Sequence, residues 1–329
     1  MPVSVVTQRT GSAPPADPAR SLAERRPLGD RGFQVLALAS GLLVLAILVL
    51  IAVSTSQQAA SWFSTEGLKV FSSTWDPATS KFGALPFIYG TAITAVIALV
   101  ISVPVSVGVA LLLTEVVPYR AARPIVYVID LLAVVPSVVW GLWGILVFAP
   151  WVQHIYGSIG SGVQSVPVLG ALFGPPTSGA SFFTCGIILA FMITPIVTSL
   201  SREVIATVPA IDREGAYALG ATRLEMIRGA VWPHSKGGVT GAVLLGLGRA
   251  MGETIAAALV IGSSPTITSH LFAPGYNMPA VIANQFGEAS GVFRSALIGM
   301  GVMLFVFTII INVIARGIVE RSARRQRGA

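Results

Sequence analysis

The chain has one cysteine, Cys185, and three histidines, His154, His234 and His270, scattered over 329 residues. A lone thiol excludes an intramolecular disulfide framework and any C-x-x-C zinc or redox site, and the histidines stand too far apart to share a metal by sequence spacing. Charge is scarce too. Only 11% of residues are Asp, Glu, Lys or Arg, against roughly 25% in an average soluble domain. A water-soluble protein of this length needs more polar residues to cover its surface. No G-x-x-x-x-G-K-[ST] string is present to cradle a nucleotide, and no H-E-x-x-H, nucleophile elbow or carboxylate pair marks a catalytic centre. A fixed-period repeat is absent as well.

Apolar residues, in contrast, are abundant. They make up 54% of the chain, with 34 glycines, 21 prolines and a mean hydropathy of +0.80. Disordered chains are poor in such residues, so the composition points to an all-α integral membrane protein. Six stretches reach the length of about 20 residues needed to cross a hydrocarbon core: Phe33–Val53, Phe87–Leu113, Val126–Phe148, Phe182–Leu200, Gly238–Gly262 and Ser295–Ala315. They predict six transmembrane helices. The first is too long for a signal-peptide core of about 7–15 residues, and reads as an uncleaved span.

The formal charge of +7 would suggest nucleic acid in a soluble chain, but the basic residues are sorted by position. The tails and segments 114–125 and 201–237 hold 17 Lys and Arg, and the alternate segments hold two. Basic loops stay cytoplasmic, which predicts both termini inside and explains the charge without nucleic acid. Residues 1–31 read as a disordered cytoplasmic tail, 32–86 as the first span with its outer segment, 87–315 as the core and 316–329 as a basic cytoplasmic tail. The run SIGSGVQSVPVLGALFGPPTSG in outer segment 149–181 predicts irregular or re-entrant structure. Pro104, Pro136 and Pro195 fall in three successive spans, where a freed carbonyl is tolerated if a neighbouring helix or a cavity satisfies it. Trp140, Trp143, Trp151 and Tyr156 suit an outer aromatic belt.

Segment 201–237 is charged, yet its apolar residues recur at helical spacing. Asp212 is placed to cap one short helix and Gly220 to end it; Thr222 with Glu225 makes a capping-box pattern for a second, with Pro233 after its end. Such a helix pair suits docking to a soluble partner, and a helix lying on the membrane surface is the competing reading. The next stretch, GAVLLGLGRAMGETIAAALVIG, puts Arg249 and Glu253 inside the fifth span, Arg249 roughly 16 Å deep at 1.5 Å per residue. Ionised side chains at that depth are costly. Four residues apart, the two would share a helix face and neutralise each other. A packing ion pair competes with a positive group on an anion path.

Of the remaining polar residues, Asp130 reads as an interfacial structural acid, with Arg249 or a cytoplasmic base as partner. Arg294 is expected to snorkel to headgroups with Glu288 beside it. Ser137, Thr194, Thr198 and Ser199 are expected to bond to backbone or neighbouring helices, and Cys185 to pack.

Two of these strings carry a family resemblance. Glu214-Gly215-Ala216, with Gly220 six residues and Pro233 nineteen residues after the glutamate, resembles the EAA loop of ABC-importer permeases; Gly215, Ala230 and Trp232 depart from the usual Ala, Ile and Leu. GLGRAMGETIAAALVIG, with PSVVWGLWG at 136–144, resembles the PstC-type permease of phosphate-specific ABC importers, over about residues 87–315. The resemblance implies a type I ABC importer permease fold and a non-enzymatic phosphate-transport subunit of the cell inner membrane. It implies that Glu214, Gly215, Ala216 and Gly220 form a coupling helix for a cytoplasmic ATPase, and that Arg249 and Glu253 serve phosphate movement. The implied partners are a second permease of PstA type, a homodimeric ATPase of PstB type, an external phosphate-binding protein of PstS type and the lipid bilayer, with no nucleic acid. No cofactor is implied on this chain; Mg-ATP would sit on the partner ATPase. A sulfate or molybdate permease, an ion-coupled secondary transporter and a non-transporting scaffold or sensor are the competing readings.

Overall fold

A computed structural model describes residues 28–163, 165–174 and 178–327. The tail before Leu28, with its basic residues and expected disorder, lies outside the described residues, as do the basic side chains beyond Gly317. The chain divides into two compact units after Ser54. The first is described as the opening part of α1 (Leu28–Glu66). From Phe33 to Val53 its large apolar side chains are exposed, which is how a helix meets lipid rather than protein.

The second unit begins within α1, where Trp62 is fully buried and donates from Nε1 to the Phe82 carbonyl at 3.0 Å. A 3-10 turn, Gly67–Phe71, leads to a two-residue antiparallel hairpin, β1 (Trp75–Asp76) and β2 (Lys81–Phe82). Helices α2 (Leu85–Leu111), α3 (Tyr119–Val134), α4 (Ser137–Trp143), α5 (Ala149–Val163), α6 (Pro167–Leu172) and α7 (Phe182–Ala206) follow. After them come α8 (Ala210–Ala218), α9 (Arg223–Met226), α10 (Trp232–Gly252), α11 (Ile255–Val260), α12 (Met278–Gln285) and α13 (Gly291–Arg327). Single π turns occupy Leu112–Val116, Gly144–Phe148 and Ile227–Val231.

Five of the described helical stretches are long and apolar enough to cross a membrane: Gly32–Phe71, Leu85–Val116, Ser137–Val163, Phe182–Ala206 and Gly291–Gly317. The sixth span is the pair α10 and α11, divided at Glu253. At the centre, α2 and α7 run parallel: Ile97 fills the space over Gly186, and Gly90 lets the Tyr276 backbone against α2. α10 lies antiparallel to α7, with Gly238 beneath Val204 and Gly246 beneath Val197. Small residues thus bring helices close where apolar burial gives no advantage over lipid.

Three expectations need correction. The third span is not one helix over Val126–Phe148. Val135 is extended, because Pro136 disfavours the helical conformation in the residue before it, so the chain stops and restarts as α4. The run at 158–179 is not irregular throughout, since α5 continues to Val163 and α6 covers Pro167–Leu172. Tyr156 belongs to no belt: it is 2% exposed, stacks on Phe272 at 4.1 Å and shares a hydrogen bond with Thr184.

Phe272 belongs to the connection between α11 and α12, which is bonded back onto the start of α7 by Phe182 N–H to Ala273 O and Phe183 N–H to Leu271 O. Phe272→Ala is expected to lose about 3–5 kcal/mol of stability, read as a lower thermal midpoint in detergent and faster proteolysis between Gly262 and Asn277.

Candidate functional site

The glycine-rich helix α10 ends at Gly252, and Glu253 turns extended (φ −68°, ψ 123°). The Glu253 side chain is 8% exposed, and its Oε1 accepts the Ala256 N–H at 3.2 Å, so it holds the first turn of α11. The break overturns the expected neutralisation: no ion pair joins Arg249 to Glu253 among the described residues, because four-residue spacing places side chains together only within a continuous helix.

Arg249 is exposed instead, at one end of a groove of about 1060 Å³ that follows α10 from Gly237. Thr240 and Gly241 lie along it, with Ile196 of α7 on one wall and Asn312 and Arg316 of α13 on the other. From Gly237 to Arg249 the helix rises about 18 Å. Arg316, assigned by position to the C-terminal tail, is therefore a second cation on the same groove; only the helix running past Ala315 reveals it.

The two strings that carried the resemblance meet in space. A Cβ on Gly141 would lie 2.9 Å from Ala256 Cα and 2.7 Å from Leu259 Cδ1, and one on Gly144 would lie 2.7 Å from Val260 Cγ1. The glycines of PSVVWGLWG are thus the seat for α11, a pairing that spacing along the chain does not show. Of the other polar candidates, Asp130 accepts from Ser199 at 3.1 Å rather than from a base, and Thr194 bonds back to Ala190 O at 2.7 Å. Arg294 lies over the Phe286 ring at 5.1 Å, with no ion pair to Glu288 among the described residues. Cys185 is fully buried, as packing requires.

The charged loop folds as the expected pair of helices, with two changes. Pro209, not Asp212, is the N-cap residue of α8; Asp212 sits within the first turn. Pro233 does not end the second helix, because α9, a π turn and α10 are contiguous. The wider turn lets Trp232 N–H reach Ile227 O just before a proline that has no N–H to give. Gly220 does end α8, at φ +81°, with Gly220 N–H on Tyr217 O and Ala221 N–H on Ala216 O, a Schellman motif that needs the left-handed glycine. The capping box is present: Thr222 Oγ1 accepts the Glu225 N–H, and Glu225 accepts the Thr222 N–H at 2.8 Å and its hydroxyl at 2.7 Å. Those bonds hold the Glu225 carboxyl below the usual carboxylate range.

Glu214 and Gly215 are exposed, and Ala216 is half-buried against the apolar cluster that contains Ile205, Val208, Met226 and Val231. Ile211 and Leu219, 74% and 90% exposed, leave apolar surface open beside the charges. Arg213 fixes this loop to the bundle. Its Nη1 donates to Val208 O at 2.8 Å, and its Nη2 donates to Ile205 O at 3.0 Å and to Glu115 at 2.9 Å. Sequence reasoning passed over Arg213 and Glu115, which are too far apart in the chain for any local pattern to join.

Residues 106–328 match the family described as binding-protein-dependent transport system inner membrane component. The chain belongs to this family. It is a multi-pass membrane transport subunit, not an enzyme, of an ABC importer that works with an ATPase and a binding protein. Among curated relatives, phosphate transport system permease protein PstC of Xylella fastidiosa (strain Temecula1) is 42% identical over 299 residues, 90% of this chain and 92% of the relative. The PstC of Mesorhizobium japonicum is likewise 42% identical, over 302 residues. The fold resembles that of a bacterial alginate ABC transporter solved with an alginate-bound periplasmic protein, with TM-score 0.58 at 14% identity, covering 91% of this chain and 99% of that one. That likeness supports the type I permease fold.

Two outcomes follow from this geometry. Gly141→Leu is expected to push α11 off α4 at a cost of about 1–3 kcal/mol, measured as a lower thermal midpoint and reduced membrane level. The Glu225 cap is complete above the ordinary carboxylate pKa and is lost as pH falls through the depressed one, since protonation removes the acceptor charge. Amide-exchange protection at Thr222 and Glu225, corrected for intrinsic rate, should therefore fall at acid pH, and Glu225→Gln should remove that dependence.

Proposed function

We propose that the chain is the permease subunit of an ATP-driven phosphate importer and forms half of its translocation pathway. Relatives 42% identical across nine-tenths of the chain are phosphate transport permeases. The observation that carries the reading is Arg249: a guanidinium without an ion pair among the described residues, at one end of an open groove that also holds Arg316. A guanidinium presents a planar fork of donors that matches phosphate oxygens. Glu253 serves the path indirectly in this reading, by fixing the turn from which Arg249 is presented and by keeping its own charge out of the groove. A cation left unneutralised attracts a dianion, while exposure to water keeps that attraction weak enough for release.

Both termini and the loop carrying Glu214, Gly215, Ala216 and Gly220 face the cytoplasm in this proposal, in line with the sorting of basic residues. The exposed Glu214 and Gly215, with the apolar Ile211 and Leu219, form the face offered to a homodimeric ATPase of PstB type, which carries the Mg-ATP. A PstA-type permease completes the pathway, and a PstS-type binding protein delivers phosphate from outside. No observation favours a sulfate or molybdate permease or an ion-coupled transporter.

The test is radiolabelled phosphate uptake in cells lacking their own importer, supplied with this chain and its partners. Arg249→Gln, at matched membrane level and with ATPase assembly intact, is expected to lower uptake about tenfold or more, the value of one charge-assisted hydrogen bond. Undiminished uptake would make Arg249 a bystander, and no uptake by the native chain would overturn the choice of ion.

A further inference from the structure

At the end of the second unit that carries the charged loop, the π turn Leu112–Val116, the start of α3 and the last turns of α7 enclose a cleft of about 530 Å³, separate from the groove along α10. Three guanidinium groups line it: Arg123 from α3, Arg202 from α7 and Arg213 from α8. Its carboxylate, Glu115, is 5% exposed and engaged by Arg213 at 2.9 Å. Arg123 and Arg202 have no ion pair or hydrogen bond among the described residues, and Arg213 Nε is buried with no acceptor. The cleft thus holds two guanidinium groups without an ion pair.

Leu113, Val117 and Val126 make much of the remaining wall apolar, with Thr114 and Tyr119 beside them. Outside it, Ile125, Tyr127 and Val128 of α3 are exposed. The cleft lies where α2 and α7 leave their apolar stretches, the depth at which hydrocarbon gives way to headgroups. A basic pocket between spans with an apolar exterior fits an amphiphile whose head is anionic.

We propose that this cleft binds the phosphate group of an anionic phospholipid. Arg123 and Arg202 meet the phosphate oxygens, and the acyl chains lie along the exposed face of α3. Inorganic phosphate shares the head chemistry but has no use for the apolar exterior. The assignment requires only that the chain spans a bilayer, so it is independent of which ion is transported.

The test is native mass spectrometry on the full-length chain in its assembled complex, delipidated in neutral detergent and titrated with phosphatidylglycerol or phosphatidylcholine. Phosphatidylglycerol should bind about tenfold more tightly, the two arginines each contributing to the attraction. The double variant Arg123→Gln/Arg202→Gln should lose that preference at an unchanged thermal midpoint, since neither side chain has a partner among the described residues. Arg223→Gln, exposed and outside the cleft, should keep it. Equal binding of the two lipids, or a preference that survives the double variant, overturns the proposal. Inorganic phosphate is then added at millimolar concentration. Retained phosphatidylglycerol preference supports the lipid as occupant; preference abolished in the native complex assigns the cleft to the free ion and overturns the lipid.

Discussion

Within hydrocarbon a backbone group has no water to turn to, so a helix may stop only where protein supplies partners for its ends. The break at Glu253 is the place where the second unit meets this constraint most sharply. A buried carboxylate takes the Ala256 N–H, and the short helix that follows is pressed against two glycines, Gly141 and Gly144, with Ala256, Ala257 and Val260 fully buried. Much of the surrounding arrangement serves that break. α4 starts cleanly after Pro136, its Gly141 and the following Gly144 face α11, and the connection after α11 is tied by backbone bonds to the start of α7. Freed from a carboxylate on its own face, Arg249 keeps its charge for the groove.

At the other end a single side chain has a comparable role. Arg213 donates to Ile205 O in the last turn of α7 and to Val208 O just beyond it, while also binding Glu115 after α2. The loop helix α8 is thereby attached to the ends of both central helices, α2 and α7. Glu214 and Gly215 then project away from a fixed base.

What was legible in the sequence was what depends on near neighbours. Apolar length located the spans, and Thr222 with Glu225 announced a cap that is present, because both partners lie within one turn. Gly220 was legible for the same reason. Asp212 misled because a proline three residues earlier already sets the helical start. The pairing of Arg249 with Glu253 failed because spacing arguments assume a continuous helix, and a Gly-Glu-Thr run inside an apolar stretch does not announce a break. Arg213 with Glu115, and Gly141 with Ala256, were invisible: each joins residues about a hundred apart, and only the folded arrangement of helices brings them together.

The absence of an interruption before α10 has a mechanical consequence. From Arg223 through the π turn to Gly252 the helical path is unbroken, roughly 45 Å at 1.5 Å per residue. Such a rod is a lever rather than a string. A rock of about five degrees about the crossing with α7 at Gly238 displaces the far tip, about 21 Å away, by about 2 Å. Displacement of that size needs no rearrangement of the core, only a pivot, and the small residues where α10 crosses α7 supply a narrow one.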